Sequence, residues 1–239
     1  MKWKVVTAGM MMALMTSMAS VDAVNAPVEL NADSIEYDSR QGVLVASGNV
    51  VITQDGAKLT GANAVYNMKS KAGTVTGGVV MVQDDARLTA SKVEIADGNI
   101  FTATGNVDLT KDDSRMTGPR LVYYTESEQA VADGGATLSM PDGTLTAPRI
   151  EASMQSDEAV ATGGVTINSP TRNMTATSDT AYYYGSQSGQ GKVILRGNAH
   201  ATQDGNVLTG HELTLLLDDN ELQSSGQSHL VIENTGSNS

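Results

Sequence analysis

Apolar and polar residues alternate with period two along most of the chain, and the alternation recurs in blocks anchored on glycine. Two and four positions beyond Gly48 stand Val50 and Ile52, and the same offsets hold Val79 and Met81, Val107 and Leu109, Ala136 and Leu138, and Val165 and Ile167. The position between them varies freely, as Val51, Val80, Asp108, Thr137, Thr166, His200 and His229. Successive side chains of a strand point to opposite faces, so this pattern predicts half-buried β-strands.

The blocks form a tandem repeat. Gly48-Asn49-Val50, Gly77-Gly78-Val79, Gly105-Asn106-Val107, Gly134-Gly135-Ala136, Gly163-Gly164-Val165, Gly197-Asn198-Ala199 and Gly226-Gln227-Ser228 align, with first glycines 29, 28, 29, 29, 34 and 29 residues apart. Each of the first six glycines is followed 11 residues later by a second landmark: Leu59-Thr60-Gly61, Leu88-Thr89-Ala90, Met116-Thr117-Gly118, Leu145-Thr146-Ala147, Met174-Thr175-Ala176 and Leu208-Thr209-Gly210. Self-similarity at such a period is the mark of repeat architectures. Leu30-Asn31-Ala32 is one more copy of the second landmark, so the repeats open on one half and close on the other. The strands at Glu29 to Tyr37 and Ser228 to Ile232 are then expected as unpaired edges, exposing Ile35, Tyr37, Leu230 and Ile232 to strand addition.

Beyond the second landmark, apolar residues move from even to odd offsets, as in Ala64 and Tyr66, Val93 and Ile95, Leu121 and Tyr123, and Leu213 and Leu215. A slip of one residue reverses the face a side chain points to, so each strand is expected to bulge or bend there. Gln54-Asp55-Gly56, Asp97-Gly98-Asn99, Pro141-Asp142-Gly143 and Gln203-Asp204-Gly205 separate the alternating stretches. Asp-Gly suits the positive φ of tight hairpins, which favours antiparallel pairing over a parallel β-helix. The gap between Met174 and Gly197 is longer than its counterparts, which places five inserted residues near Gly185 to Gly189 as a longer hairpin tip or bulge. Tyr182, Tyr183 and Tyr184, just before it, read as strand residues alternating across a sheet.

Composition agrees with an all-β chain of one domain: 239 residues, 40% hydrophobic, only 4% aromatic, with 24 glycines. Lys2 and Lys4 precede an apolar run from Val5 to Ala19 that is too short and too interrupted for a spanning helix. This is the pattern of a secretory signal peptide, with cleavage expected after Ala23. The expected organisation is a removed leader at 1–23, one β domain at 24–233 and a frayed tail at 234–239. Cysteine is absent, so stability must come from burial and strand pairing rather than disulfides. A net charge of −12 without a basic cluster makes nucleic acid a poor partner.

Candidate chemistry is sparse. The acidic pairs Asp84-Asp85, Asp112-Asp113 and Asp218-Asp219 fall at expected strand ends, where neighbouring side chains diverge, and no calcium-loop spacing accompanies them. His200 and His229 share one outward offset without a third ligand. No nucleophile elbow and no phosphate-cradling glycine loop occurs. No catalytic residue, metal or cofactor is expected. The small inward residues Ala32, Gly61, Ala90, Gly118, Ala147, Ala176 and Gly210 fit either a close approach of two sheets at the corner or room for a lipid.

The opening Leu30-Asn31-Ala32-Asp33-Ser34-Ile35-Glu36-Tyr37, the recurring Gly-Asn-Val and the Leu-Thr-Ala/Gly with its following Tyr resemble the OstA-like repeats of the LptA-type periplasmic lipopolysaccharide transport family. The likeness runs from about Glu29 to Ile232. It implies a twisted antiparallel β-jelly-roll of repeats of about 29 residues with an open apolar trough. In such a protein the trough shields lipopolysaccharide acyl chains, and copies associate end to end and with LptC-like and LptD-like jelly-roll domains. The lining this implies is Val50, Ile52, Leu59, Tyr66, Val79, Met81, Leu88, Val93, Ile95, Val107, Leu109, Met116, Leu121, Tyr123, Leu138, Leu145, Ile150, Val165 and Ile167.

Overall fold

The computed structural model describes residues 28–232 except 55, 112, 142, 154, 186–190 and 218–220. The expected leader at 1–23, the tail at 234–239 and insertion residues 186–189 lie outside the described residues, as do Asp55, Asp112, Asp142, Asp218 and Asp219.

Strands account for nearly everything described. They are β1 (Glu29–Asn31), β2 (Ser34–Asp38), β3 (Val43–Gln54), β4 (Ala57–Asn67), β5 (Ala72–Gln83), β6 (Ala86–Ala96), β7 (Ile100–Lys111) and β8 (Ser114–Tyr124). There follow β9 (Gln129–Met140), β10 (Gly143–Ser153), β11 (Glu158–Ser169), β12 (Met174–Tyr184), β13 (Lys192–Gln203), β14 (Asn206–Leu216) and β15 (Glu221–Val231). Among the described residues a single 3-10 turn, Pro170–Arg172, interrupts them. From β3 to β15 each strand pairs antiparallel with its neighbours in sequence, and the sheet does not close. β1 and β2 both pair with β3, so they are two halves of one bent strand.

The glycine landmark lies inside a strand rather than before one. β3 runs through Gly48-Asn49 and β5 through Gly77-Gly78, so each odd strand extends upstream of the point where alternation in the sequence becomes clear. The register slips there in every full pairing, between Ser47 and Val50, Thr76 and Val79, and Thr104 and Val107. On β4 the slip lies between Thr60 and Asn63, the offset at which the change of parity required it. The cause is local: Gly48 and Asn49 have φ of 75° and 47°, and Gly105 and Asn106 have 79° and 51°. Two successive left-handed residues make a bulge that bends the strand. The first glycine is also packed tightly, since a Cβ on Gly77 would stand 2.3 Å from the Cβ of Ala62.

Every strand therefore has two arms meeting at a corner. Arm I ends in the turns at Met68 to Lys71, Asp97 to Asn99 and Thr125 to Glu128, and arm II in those at Asp84 to Asp85, Pro170 to Asn173 and Asp204 to Gly205. Asp97-Gly98 and Asp204-Gly205 carry the positive φ pairs expected of tight hairpins. Buried residues of both arms form one core, with Val75, Val93 and Phe101 from arm I and Met81, Leu88 and Leu109 from arm II. A single sheet cannot seal its own face from water, so the arms cover each other, as in a jelly-roll.

Candidate functional site

The inner face of the bent sheet gathers nearly all the sequence-predicted residues. Val50, Leu59, Val79, Met81, Leu88, Val93, Val107, Leu109, Met116, Leu121, Tyr123, Leu138, Ile150 and Val165 are buried in the core. Ile52, Tyr66, Ile95, Leu145 and Ile167 are half-buried. Through the middle of the stack the V is filled by its own side chains: Met81, Leu88, Phe101 and Tyr123 are all 0% exposed. Gly61 sits close against the neighbouring strand, since a Cβ there would lie 2.6 Å from Val75 Cγ1, whereas at Gly210 the nearest atoms would stand 3.5 Å away.

One inward row is not among the sequence-predicted residues. Ala46, Val75, Ala103, Ala132, Ala161 and Leu195, all buried, stand two residues before a landmark glycine, and Phe101 stands four before. Their offsets are as regular as those downstream. Because most are alanine, they show little hydrophobic contrast with their neighbours.

Four buried side-chain atoms among the described residues have no hydrogen-bond partner: Asn99 Oδ1, Ser114 Oγ, Tyr123 OH and Tyr183 OH. Burial, reinforced by Glu128, pushes the Tyr123 hydroxyl pKa up, and burial with Asp157 does the same more strongly for Tyr183. Both remain protonated donors at neutral pH.

The outer face is polar and ion-paired. Arg115 grips Asp108 through Nε at 2.9 Å and Nη2 at 2.6 Å. That hydrogen bonding, more than it is opposed by partial burial, holds the Asp108 carboxyl below its usual range. Arg196 does the same for Glu212, helped by Ser225. Asp133 links Arg120, at 3.0 Å, with Arg149. Tyr182 and Tyr184 face outward beneath Arg196 and Lys192, each cation 5.2 Å from the ring centre, while Tyr183 turns into the core. His200 and His229 are exposed in the outward row, with Thr209 between them.

No group of three or more His, Asp or Glu among the described residues could hold a metal. A shallow cleft lined by Gly77, Gly78, Ser91, Gly105 and Asn106 follows the corner. Its wall also includes the buried Val79 and Ala90 and their strand neighbours Val80 and Thr89.

The edges are bare. β2 is exposed throughout, and β15 nearly so. Ile35, Tyr37, Leu230 and Ile232 are 47%, 55%, 56% and 68% exposed.

The family described as "LptA/(LptD N-terminal domain) LPS transport protein" matches residues 58–156 and, overlapping these, 96–221. The chain belongs to this family. The lipopolysaccharide export system protein LptH of Pseudomonas aeruginosa PAO1 is 47% identical over 49 residues, 20% of this chain. The aligned stretch spans 27% of that curated relative's length. The crystal structure of LptH, described as the LptA-homologous periplasmic component of the lipopolysaccharide transport device of the same species, aligns over 87% of this chain and 95% of its own. Sequence identity there is 16% and the TM-score 0.18. Family membership rests on the sequence match, and the architecture of this LptA/LptD-type chain on its own strand pairing.

Proposed function

We propose that this chain is a non-enzymatic carrier that holds lipopolysaccharide in the periplasm, with its acyl chains against the inner face of the bent sheet. The observation that supports this most directly is the unbroken apolar inner face, renewed by each repeat in a chain of the LPS transport family. Each methylene removed from water contributes about 0.8 kcal/mol, so a greasy face holds hydrocarbon without any specific hydrogen bond. A periodic lining presents nearly the same surface at every step, so lipid can move along it over a nearly level free-energy profile. Because the middle of the V is filled, acyl chains enter by parting the arms and replacing contacts between them.

The bare edges support end-to-end pairing with further copies and with LptC-like and LptD-like jelly-roll domains. The apolar leader supports export. No cofactor enters the scheme, and energy for direction is supplied by partners.

Photo-crosslinking tests the reading. A photoreactive residue at Ile52 or Leu109 is expected to capture lipopolysaccharide, and one at the outward Val51 or Asp108 to capture none. Equal labelling inside and out, or none, would remove the carrier reading. A second reading, a structural or adhesive envelope protein with a filled core, is favoured by the sealed residues around Met81 and Phe101. Absent capture at Ile52 and Leu109 would support it.

A further inference from the structure

The seam between the arms is not uniformly sealed. Along the arm II row Leu88, Leu109, Met116 and Leu138 are buried, whereas Leu145 and Ile167, next in register, are half-buried; along the arm I row Phe101, Tyr123 and Ala130 are buried, whereas Ala152, Ala159 and Tyr183 are half-buried. One row nearer the corner, Ala147 and Val165 on arm II and Ile150 and Ala161 on arm I remain buried. The seam is thus loosened at its lips and closed at its corner.

The arm I row that borders this stretch follows from the register: Tyr123 pairs with Ala130, Ala130 with Ala152, Ala152 with Ala159, and Ala159 with Tyr183. Three small side chains stand between two tyrosines. Adjacent strands lie about 4.8 Å apart, so the two tyrosines are about 19 Å apart along the sheet. Both hydroxyl groups are buried and unpartnered, and Tyr123 as a whole is 0% exposed. Leaving a buried hydroxyl unpaired costs about 1 to 3 kcal/mol, which calls for a compensating role. Beyond Tyr183 the lips are tied, because Arg172 of the arm II turn donates from Nη2 to the carbonyl of Leu217, which follows β14 on arm I, at 3.0 Å.

We propose that the seam between Tyr123 and Tyr183 is a lateral mouth whose two hydroxyls donate hydrogen bonds to the ester and amide carbonyls joining acyl chains to a glycolipid head. This rests on the carrier reading and names the polar recognition within it. Chains pass between the lips over Ala130, Ala152 and Ala159, while the sugar head stays outside. The tie at Arg172 limits how far the opening spreads toward β14. Glu128 and Asp157 lie near the hydroxyls, so the local field disfavours a phosphate and favours a neutral carbonyl acceptor.

The test compares the native chain with the double variant Tyr123→Phe/Tyr183→Phe, using purified lipopolysaccharide and n-dodecyl maltoside, whose alkyl chain carries no carbonyl. Two neutral hydrogen bonds predict a loss of about tenfold in lipopolysaccharide affinity. Dodecyl maltoside affinity should not change, and the melting temperature should hold or rise because phenylalanine leaves no unpaired hydroxyl. Unchanged lipopolysaccharide affinity, or equal losses for both probes, would overturn the mouth while leaving the carrier reading intact. A native chain that binds neither probe would overturn both.

Discussion

At the scale of single residues, the corner is decided by which side chains tolerate a left-handed backbone. The two glycine positions of a repeat differ in what surrounds them. Gly77, at φ 87°, has the Ala62 Cβ against it, whereas Gly78, at φ 72°, has nothing within 4 Å of where its Cβ would be. Asparagine already fills the second position at Asn49, Asn106 and Asn198, with φ of 47°, 51° and 47°. Gly77→Ala is therefore expected to destabilise by about 1 to 3 kcal/mol, through strain and overlap together. Gly78→Asn should fall within about 0.5 kcal/mol of the native chain. Urea denaturation of both variants checks the pair, and equal losses would mean the corner does not depend on this contact.

At the scale of elements, each strand pair is nearly a copy of the next, yet the pairs are not equally buried. Leu88 on β6 and Leu145 on β10 hold the same offset in the repeat, and Leu88 is 0% exposed while Leu145 is only half-buried. Removing a sealed leucine costs about 2 to 5 kcal/mol, because lost transfer energy and an unrelaxed cavity add. Leu88→Ala should fall in that range. At Leu145 the cavity opens to water and part of the surface was already wet, so Leu145→Ala should cost clearly less. Calorimetry of the two variants measures the difference, and parity between them would mean the seam is as closed at β10 as at β6.

At the scale of the whole molecule, an open sheet leaves two edges that the repeat cannot cover with itself. Exposed strands with unpaired backbone groups invite another strand, and lysine on such an edge discourages it. Ile35→Lys and Leu230→Lys should therefore weaken concentration-dependent assembly, seen by analytical ultracentrifugation, while shifting stability by no more than about 0.5 kcal/mol as expected for exposed sites. Assembly unaffected by both changes would place the contact away from these edges.

Much was legible in the sequence because a strand reports its orientation through parity. The alternation after each glycine marked the inward face of arm II, and the change of parity after each Leu-Thr marked the bend. Asp97-Gly98 and Asp204-Gly205 marked their hairpins, since only a few residue types accept positive φ. Where inward residues were alanine, as at Ala46, Ala103 and Ala132, the chain carried too little contrast to separate the two faces, and half of each odd strand went unmarked.

By itself, then, the sequence determined the repeat, its antiparallel strands, their bend and which face of arm II is apolar, all of which depend on near neighbours along the chain. Tertiary structure decided how far the V is filled, where its seam loosens, and which tyrosine hydroxyls lie buried without partners. Those depend on what the opposite arm places across the gap, and residues that meet there are set by the twist and stacking of many strands rather than by any local pattern.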